Sequence, residues 1–228
     1  KTLDHRYGCS GIDGVSFGPA FGRVDGPSLL TVAYGVYANT SRTDNDHQVL
    51  LQYDITDWAK YQRPLTEKAP HHSGPEKVDG KYWVYTGNTT YGVQTLAYDA
   101  TLRRWFMGVY KGTKPTFPNY LLFAVEGNAV PRRGELKGVL ASGGSGNEHG
   151  WLLPLADDGL ADAGTGIRGW NQKADVGFQP VGKGLFYLCV NSGPRGKQTA
   201  DLTLHRWTGD PSAPFAPVSE EERATAAK

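Results

Sequence analysis

One pattern recurs along this chain and narrows what it can fold into. A short apolar, aromatic segment ending in Gly or Asn is followed, after a few turn residues, by a segment that carries outward polar positions. The first kind is seen at 28–35 (SLLTVAYG), 81–88 (KYWVYTGN), 104–112 (RWFMGVYKG) and 185–193 (LFYLCVNSG). The second kind follows at 47–58, 93–105, 119–128 and 201–210. Alternating apolar and polar positions, rich in β-branched and aromatic residues, predict strands. The connecting pieces, such as NTSRTDNDH and SGPRGKQTA, are turn chemistry. The predicted unit is therefore a hairpin, met four times. The segment VQTLAYD fits either the end of one unit or the start of the next.

Composition agrees with that pattern. The 228 residues include 30 Gly and 14 Pro, the mark of many short strands joined by turns. Helical periodicity is scarce, with only 219–228 (SEEERATAAK) reading as helical or as a solvated tail. The expected fold class is all-β: a β-propeller of about five blades, or part of a larger ring, over residues 1–218, with 219–228 as a C-terminal tail. Radial repetition disposes of exposed sheet edges, which is why a repeated hairpin favours it. A β-sandwich is the alternative.

Charge excludes several functions. Lys and Arg number 24 against 23 Asp and Glu, a formal charge of +1, so the sequence lacks the basic footprint of a nucleic-acid binder. No apolar run reaches the roughly 20 residues that span a bilayer. The opening, KTLDHRYGCSG, fits a chain whose signal has been removed or one cut from something longer. The expected location is extracellular or periplasmic. Cys9 and Cys189 stand at opposite ends, as a disulfide tying first strand to last or as unpaired residues, Cys189 then being a small buried hydrophobe. Asn39 and Asn88 open glycosylation sequons if the source is a eukaryotic secretory one.

Three short motifs share one form: Ser10-Gly11-Ile12-Asp13, Ser73-Gly74-Pro75-Glu76 and Thr165-Gly166-Ile167-Arg168. Each has a hydroxyl, a glycine, an apolar residue or proline, and a charge. If the three occupy equivalent places on innermost strands, Asp13, Glu76 and Arg168 gather in one pocket, with His72 and Lys77 beside them. The other outcome is a structural network of paired charges. The loop carries Asp44, Asn45, Asp46 and His47, and oxygen ligands at alternate positions, Asp44 and Asp46, suit calcium, although the remaining ligands and the turn glycine of an EF-hand are missing. Histidine spacing gives no zinc pattern, and neither a nucleophile elbow nor a phosphate loop is present.

The stretch SGPEKVDGKYWVYTGN (73–88) resembles the strand around the acidic glutamate of five-bladed arabinanase and xylosidase propellers. That resemblance implies a glycoside hydrolase with Glu76 as acid and Asp13 as base. In that family the glutamate precedes the Gly-Pro, whereas Glu76 follows it. The expected function is an extracellular carbohydrate-active enzyme that cleaves a polysaccharide or oligosaccharide with inward-facing carboxylates. Arg168 would orient the substrate, and Tyr91, Trp170, His72 and Lys77 would bind it. One alternative is a polysaccharide lyase on uronic acids, with Arg168 neutralising the carboxylate. The other is a propeller that binds sugar or protein without catalysis. A carbohydrate partner is expected, with no nucleic acid, no membrane span and no cofactor beyond the calcium considered above.

Overall fold

The computed structural model describes residues 8–23, 25–68, 70, 73–219 and 222, with the side chains of 8–10 left aside. Among the described residues its elements are fifteen strands and a 3-10 turn at Trp58–Tyr61. The chain is all-β, in several sheets, none of them closed. No helix among the described residues is long and apolar enough to cross a membrane.

A six-stranded sheet holds β1 (Gly8–Gly18), β2 (Leu29–Val36), β3 (His47–Tyr53), β4 (Gly80–Tyr85), β9 (Asn147–Leu153) and β8 (Arg132–Leu140), in that order. All its neighbours are antiparallel except β4 and β9, which run parallel with Tyr82 opposite Trp151. A three-stranded meander follows, β5 (Thr90–Asp99), β6 (Arg104–Tyr110) and β7 (Leu122–Glu126). Beside β7 lies the small pair β10 (Leu160–Ala161) and β11 (Arg168–Gly169), joined to it through Trp170 opposite Leu122. A four-stranded meander completes the chain: β12 (Gly177–Gly182), β13 (Leu185–Ser192), β14 (Thr199–Trp207) and β15 (Phe215–Pro217).

The meander β5–β7 is buried on both faces, and its side-chain alternation says how. Trp105, Met107 and Val109 on β6, with Phe123 and Val125 on β7, pack against Ala33, Leu50 and Val84 of the six-stranded sheet. The intervening residues, Phe106, Leu122 and Ala124, point the other way, onto Phe178, Phe186 and Leu188 of the four-stranded sheet. Successive side chains of a strand face opposite sides, so one strand serves two cores. Close approach is part of the packing: a Cβ on Gly108 would strike the carbonyl of Ala174, and one on Gly18 would come within 2.6 Å of the Trp105 ring. Only glycine fits at either place.

A third cluster, Val32, Val49, Leu51, Trp83, Leu136 and Val139, covers the outer face of the six-stranded sheet where the β8–β9 hairpin curls over it. The part nearest β1 stays open, with Ile12, Val15 and Phe17 half exposed. At the far end, Ser219 and Glu222 exchange backbone bonds, Ser219 N to Glu222 Oε2 at 2.9 Å and Glu222 N to Ser219 Oγ at 3.2 Å, which is a capping box. Cys189 is half-buried and free.

Three of the four expected hairpins form, as β2–β3, β6–β7 and β13–β14. The fourth does not. Both edges of β4 are taken, by β3 and by β9, so β5 cannot pair with it and begins the next sheet instead. The crossing is fixed by Gly87, whose φ of 74° suits glycine, and by buried Gln48, which donates to Thr86 Oγ1 and Thr89 Oγ1.

Truncating either side of the shared strand should therefore disturb the whole molecule. Trp105→Ala and Phe106→Ala are each expected to lower the unfolding free energy by about 3–5 kcal/mol. Urea titration followed by both fluorescence and circular dichroism should show one shifted transition for each variant. Two separated transitions would mean that the cores are not coupled.

Candidate functional site

The parallel pair leaves a cleft at its carboxyl end. There the end of β4, the start of β3, the end of β9 and the start of β8 come together, and residues 128–132, 152–155 and 165–168 form the walls. The cavity holds about 840 Å³, within the range of roughly 300–1,000 Å³ found for ligand clefts. Leu152, Leu153, Pro154, Leu155 and Val130 give it aliphatic walls, and His47, Tyr85, Arg132, Glu135, Lys137 and Arg168 give it chemistry.

Each of these side chains is placed by local rules. His47 opens β3 opposite Tyr85 and is almost wholly buried, its ring 5.0 Å from that of Tyr85 and edge-on to Trp83 at 6.2 Å. Its Nδ1 is buried with no hydrogen-bond partner. Burial, with the positive charge of Lys137 nearby, lowers its pKa to about 4, so the ring is neutral at pH 7. The Lys137 ammonium sits 4.2 Å from the Tyr85 ring centre. Burial first, and Asp46 second, pushes the Tyr85 phenol upward.

Arg168 owes its position to a turn. Asp162 Oδ2 accepts from Thr165 N at 2.8 Å and from Thr165 Oγ1 at 2.6 Å, and these bonds hold the Asp162 carboxyl below its ordinary range. Gly166 follows at φ 75°. Ile167 then points into the core, and Arg168 turns outward, donating from Nη1 to the Asp157 carbonyl at 2.7 Å.

Behind His47 lies a buried cation. Lys114 Nζ contacts Asp46 Oδ1 at 2.6 Å, the Arg42 carbonyl at 2.6 Å and Asn45 Oδ1 at 2.8 Å. This organises the loop that was expected to hold calcium. The reading of Asp44 and Asp46 as metal ligands is corrected here: an ammonium occupies Asp46, and Arg42 grips Asp44 through two bonds of 2.7 Å. Among the described residues no group of three or more His, Cys, Asp or Glu side chains is arranged to hold a metal ion. Burial raises the Asp46 pKa against the opposing pull of Lys114.

The three charged ends of the recurring motifs do not converge. Arg168 lines the large cleft, whereas Glu76 and Lys77 line a separate groove of about 200 Å³ over the outer face of the six-stranded sheet, beside Tyr34, Tyr53 and Lys81. Asp13 lies in a bulge of β1 on the other side of that sheet, where Gln94 Nε2 of β5 reaches its Oδ2 at 3.4 Å. The motifs are unequal because only the first lies in a long strand, while 73–76 is loop and 165–168 runs from a turn into the two-residue strand β11. Tyr91 is exposed at φ 63°, and Gln94 Nε2 also reaches its carbonyl, so Asp13 and Tyr91 are neighbours. Trp170 is corrected from substrate binding to core: it is 1 % exposed and edge-on to Trp207 at 5.4 Å. His72 falls outside the described residues.

Sequence reasoning did not find Arg132, Glu135, Lys137, Tyr85 or Lys114. A signal for the first three was present in RRGELKG (132–138), a strand with four charges and little apolar alternation. Lys114 was hidden in a turn-like TKPTFP.

Two measurements test this electrostatic account. Because folding depresses the His47 pKa from 6.5 to about 4, its neutral form favours the folded state above pH 6.5, and that contribution is lost as pH falls toward 4. Wild type should lose roughly 3 kcal/mol more between pH 7 and pH 4 than His47→Phe does in urea titrations at both values. Equal losses would refute the buried neutral ring. Lys114→Met, which strands Asp46, should cost about 3–5 kcal/mol, with partial recovery in the double variant carrying Asp46→Asn. A stability unchanged in Lys114→Met would rule out the ammonium as the loop's organiser.

Comparison with protein-family models, with curated proteins and with solved structures finds no match to this chain.

Proposed function

We propose that the chain is a secreted or periplasmic carbohydrate-active protein that takes a glycan into the cleft at the ends of β4 and β9. The observation that carries this reading is the wall chemistry. Sugar rings present apolar C–H faces edged with hydroxyls, and the cleft offers aliphatic walls beside unpaired polar and charged groups. We further propose that the sheets are blades of a propeller-like arrangement. Support comes from the three meanders, β1–β4, β5–β7 and β12–β15, which follow one another in the chain and stack face to face.

Hydrolysis by two carboxyl groups needs them about 5–10 Å apart across the scissile bond. Among the described residues Glu135 is the single carboxylate lining the cleft, and Asp13 and Glu76 stand elsewhere. The arrangement therefore supports recognition better than the expected hydrolase pair. A second reading, cleavage by proton transfer, draws on His47, which is neutral at pH 7 and lies with its ring 5.0 Å from that of Tyr85 in the cleft wall.

Val130 is 64 % exposed on the cleft wall, so a larger side chain there fills the cleft without entering the core. In affinity electrophoresis against a panel of soluble glycans, wild type is expected to bind at least one, and Val130→Trp to lose about tenfold or more. Glu76→Gln, in the other groove, should bind as wild type does. The reading is wrong if no glycan is retarded, or if Val130→Trp binds as tightly as wild type. The same samples, assayed for new reducing ends and for ultraviolet absorbance of unsaturated products, separate hydrolysis, elimination and binding alone.

A further inference from the structure

We propose that the cleft selects glycans that carry carboxylates, that is, polymers or oligomers of uronic acids; this rests on the cleft being a glycan site. The basis is three cations left without acidic partners. Arg132 and Lys137 come from β8 and Arg168 from β11, and all three line the same cavity. More enclosed cations of the molecule are matched: Arg42 with Asp44, Arg104 with Glu126 and Asp158, and Lys114 with Asp46. The three in the cleft have no ion pair among the described residues. Arg168 is held by the neutral Asp157 carbonyl, and Lys137 by the face of Tyr85.

Against them stands one carboxylate, Glu135, equally without an ion pair. The cleft thus gathers a surplus of two positive charges in a chain whose formal charge is +1. Unpaired like charges held together repel one another, and an anionic ligand relieves that repulsion. Apolar walls strengthen the attraction by displacing water.

The kind of anion follows from the elements that carry the cations and from the walls. Cations on two separate elements suit charges distributed along a chain better than one compact phosphate. An arginine guanidinium matches the planar carboxylate through paired N–H bonds. The aliphatic side, Val130, Leu152 and Leu155, suits the sugar ring that bears the carboxylate.

The test is isothermal titration with oligogalacturonate, its methyl ester, a neutral oligogalactan of the same length and a sulfated galactan. The acid is expected to bind, with affinity falling as salt rises. Methyl esterification, which removes charge but keeps the ring, should weaken binding about tenfold or more, and Arg168→Gln and Lys137→Gln should each weaken the acid's binding about tenfold. Both side chains lie at the surface of the cleft, and unchanged thermal unfolding would establish that the variants fold. Equal binding of the ester or the neutral oligomer, lost in Val130→Trp, overturns the acidic preference while leaving a glycan site. Stronger binding of the sulfated galactan also overturns it, in favour of sulfate. If none of the four binds, both this inference and the glycan reading fall.

Discussion

The whole molecule hangs on the double burial of one small sheet. Trp105 and Phe106 are adjacent in sequence, both fully buried, and belong to different cores. A strand packed on both faces has no polar side to give to water, which explains the nearly unbroken apolar run from 104 to 110. Arg104, at its start, is the exception: its guanidinium is paired through Nη2 with Glu126 at 2.5 Å and through Nη1 with Asp158 at 2.8 Å. A charge so enclosed is tolerated only with such partners. Of the flanking sheets, the four-stranded one needs a single apolar face and shows it, whereas the six-stranded one also carries the third cluster on its outer face. In β14 most residues are exposed, while Trp207 and Phe215 close the second core.

The cleft arises from a departure in the same architecture. Adding β9 parallel to β4, rather than letting β5 fold back on it, sends two strand ends to one side with their following loops. Those loops carry side chains that the core does not use. The buried neutral His47 lines the cleft, with the ion pair of Lys114 and Asp46 next to it in the chain, and Arg132, Lys137 and Arg168 line it as well. The result is a polar site whose base is fixed by packing and whose charges face solvent.

Much of the fold could be read from sequence because period-two alternation is a local signal. The strands β2, β3, β6, β7, β13 and β14 follow directly from it. The parallel pairing of β4 with β9 could not be read, since nothing in KYWVYTGN names a partner so distant in the chain. The site was less legible still. Asp13, Glu76 and Arg168 share a motif, but a motif acquires position only from the element that holds it, and here the three lie in a strand bulge, a loop and the start of a two-residue strand. Trp170 looked like a binding aromatic and is core: its ring packs against Trp207 in the second cluster, although Arg168, two residues earlier, reaches the cleft. Lys114 was invisible because its partners, Asp46 and Asn45, sit in another sheet's loop.

The splice between β4 and β9 also bears on how the chain reaches its final form. Tyr82 and Trp151 are ladder neighbours, yet the entire middle sheet and the β8 strand are inserted between them in the chain. Closing so long a loop carries a large entropic penalty, and parallel pairing of distant segments is slow. The hairpins β2–β3, β6–β7 and β13–β14 are local and form without that penalty. Completing the six-stranded sheet, and with it the cleft, therefore waits on that distant pairing, and the first core closes with it, because Leu153 of β9 belongs to that core.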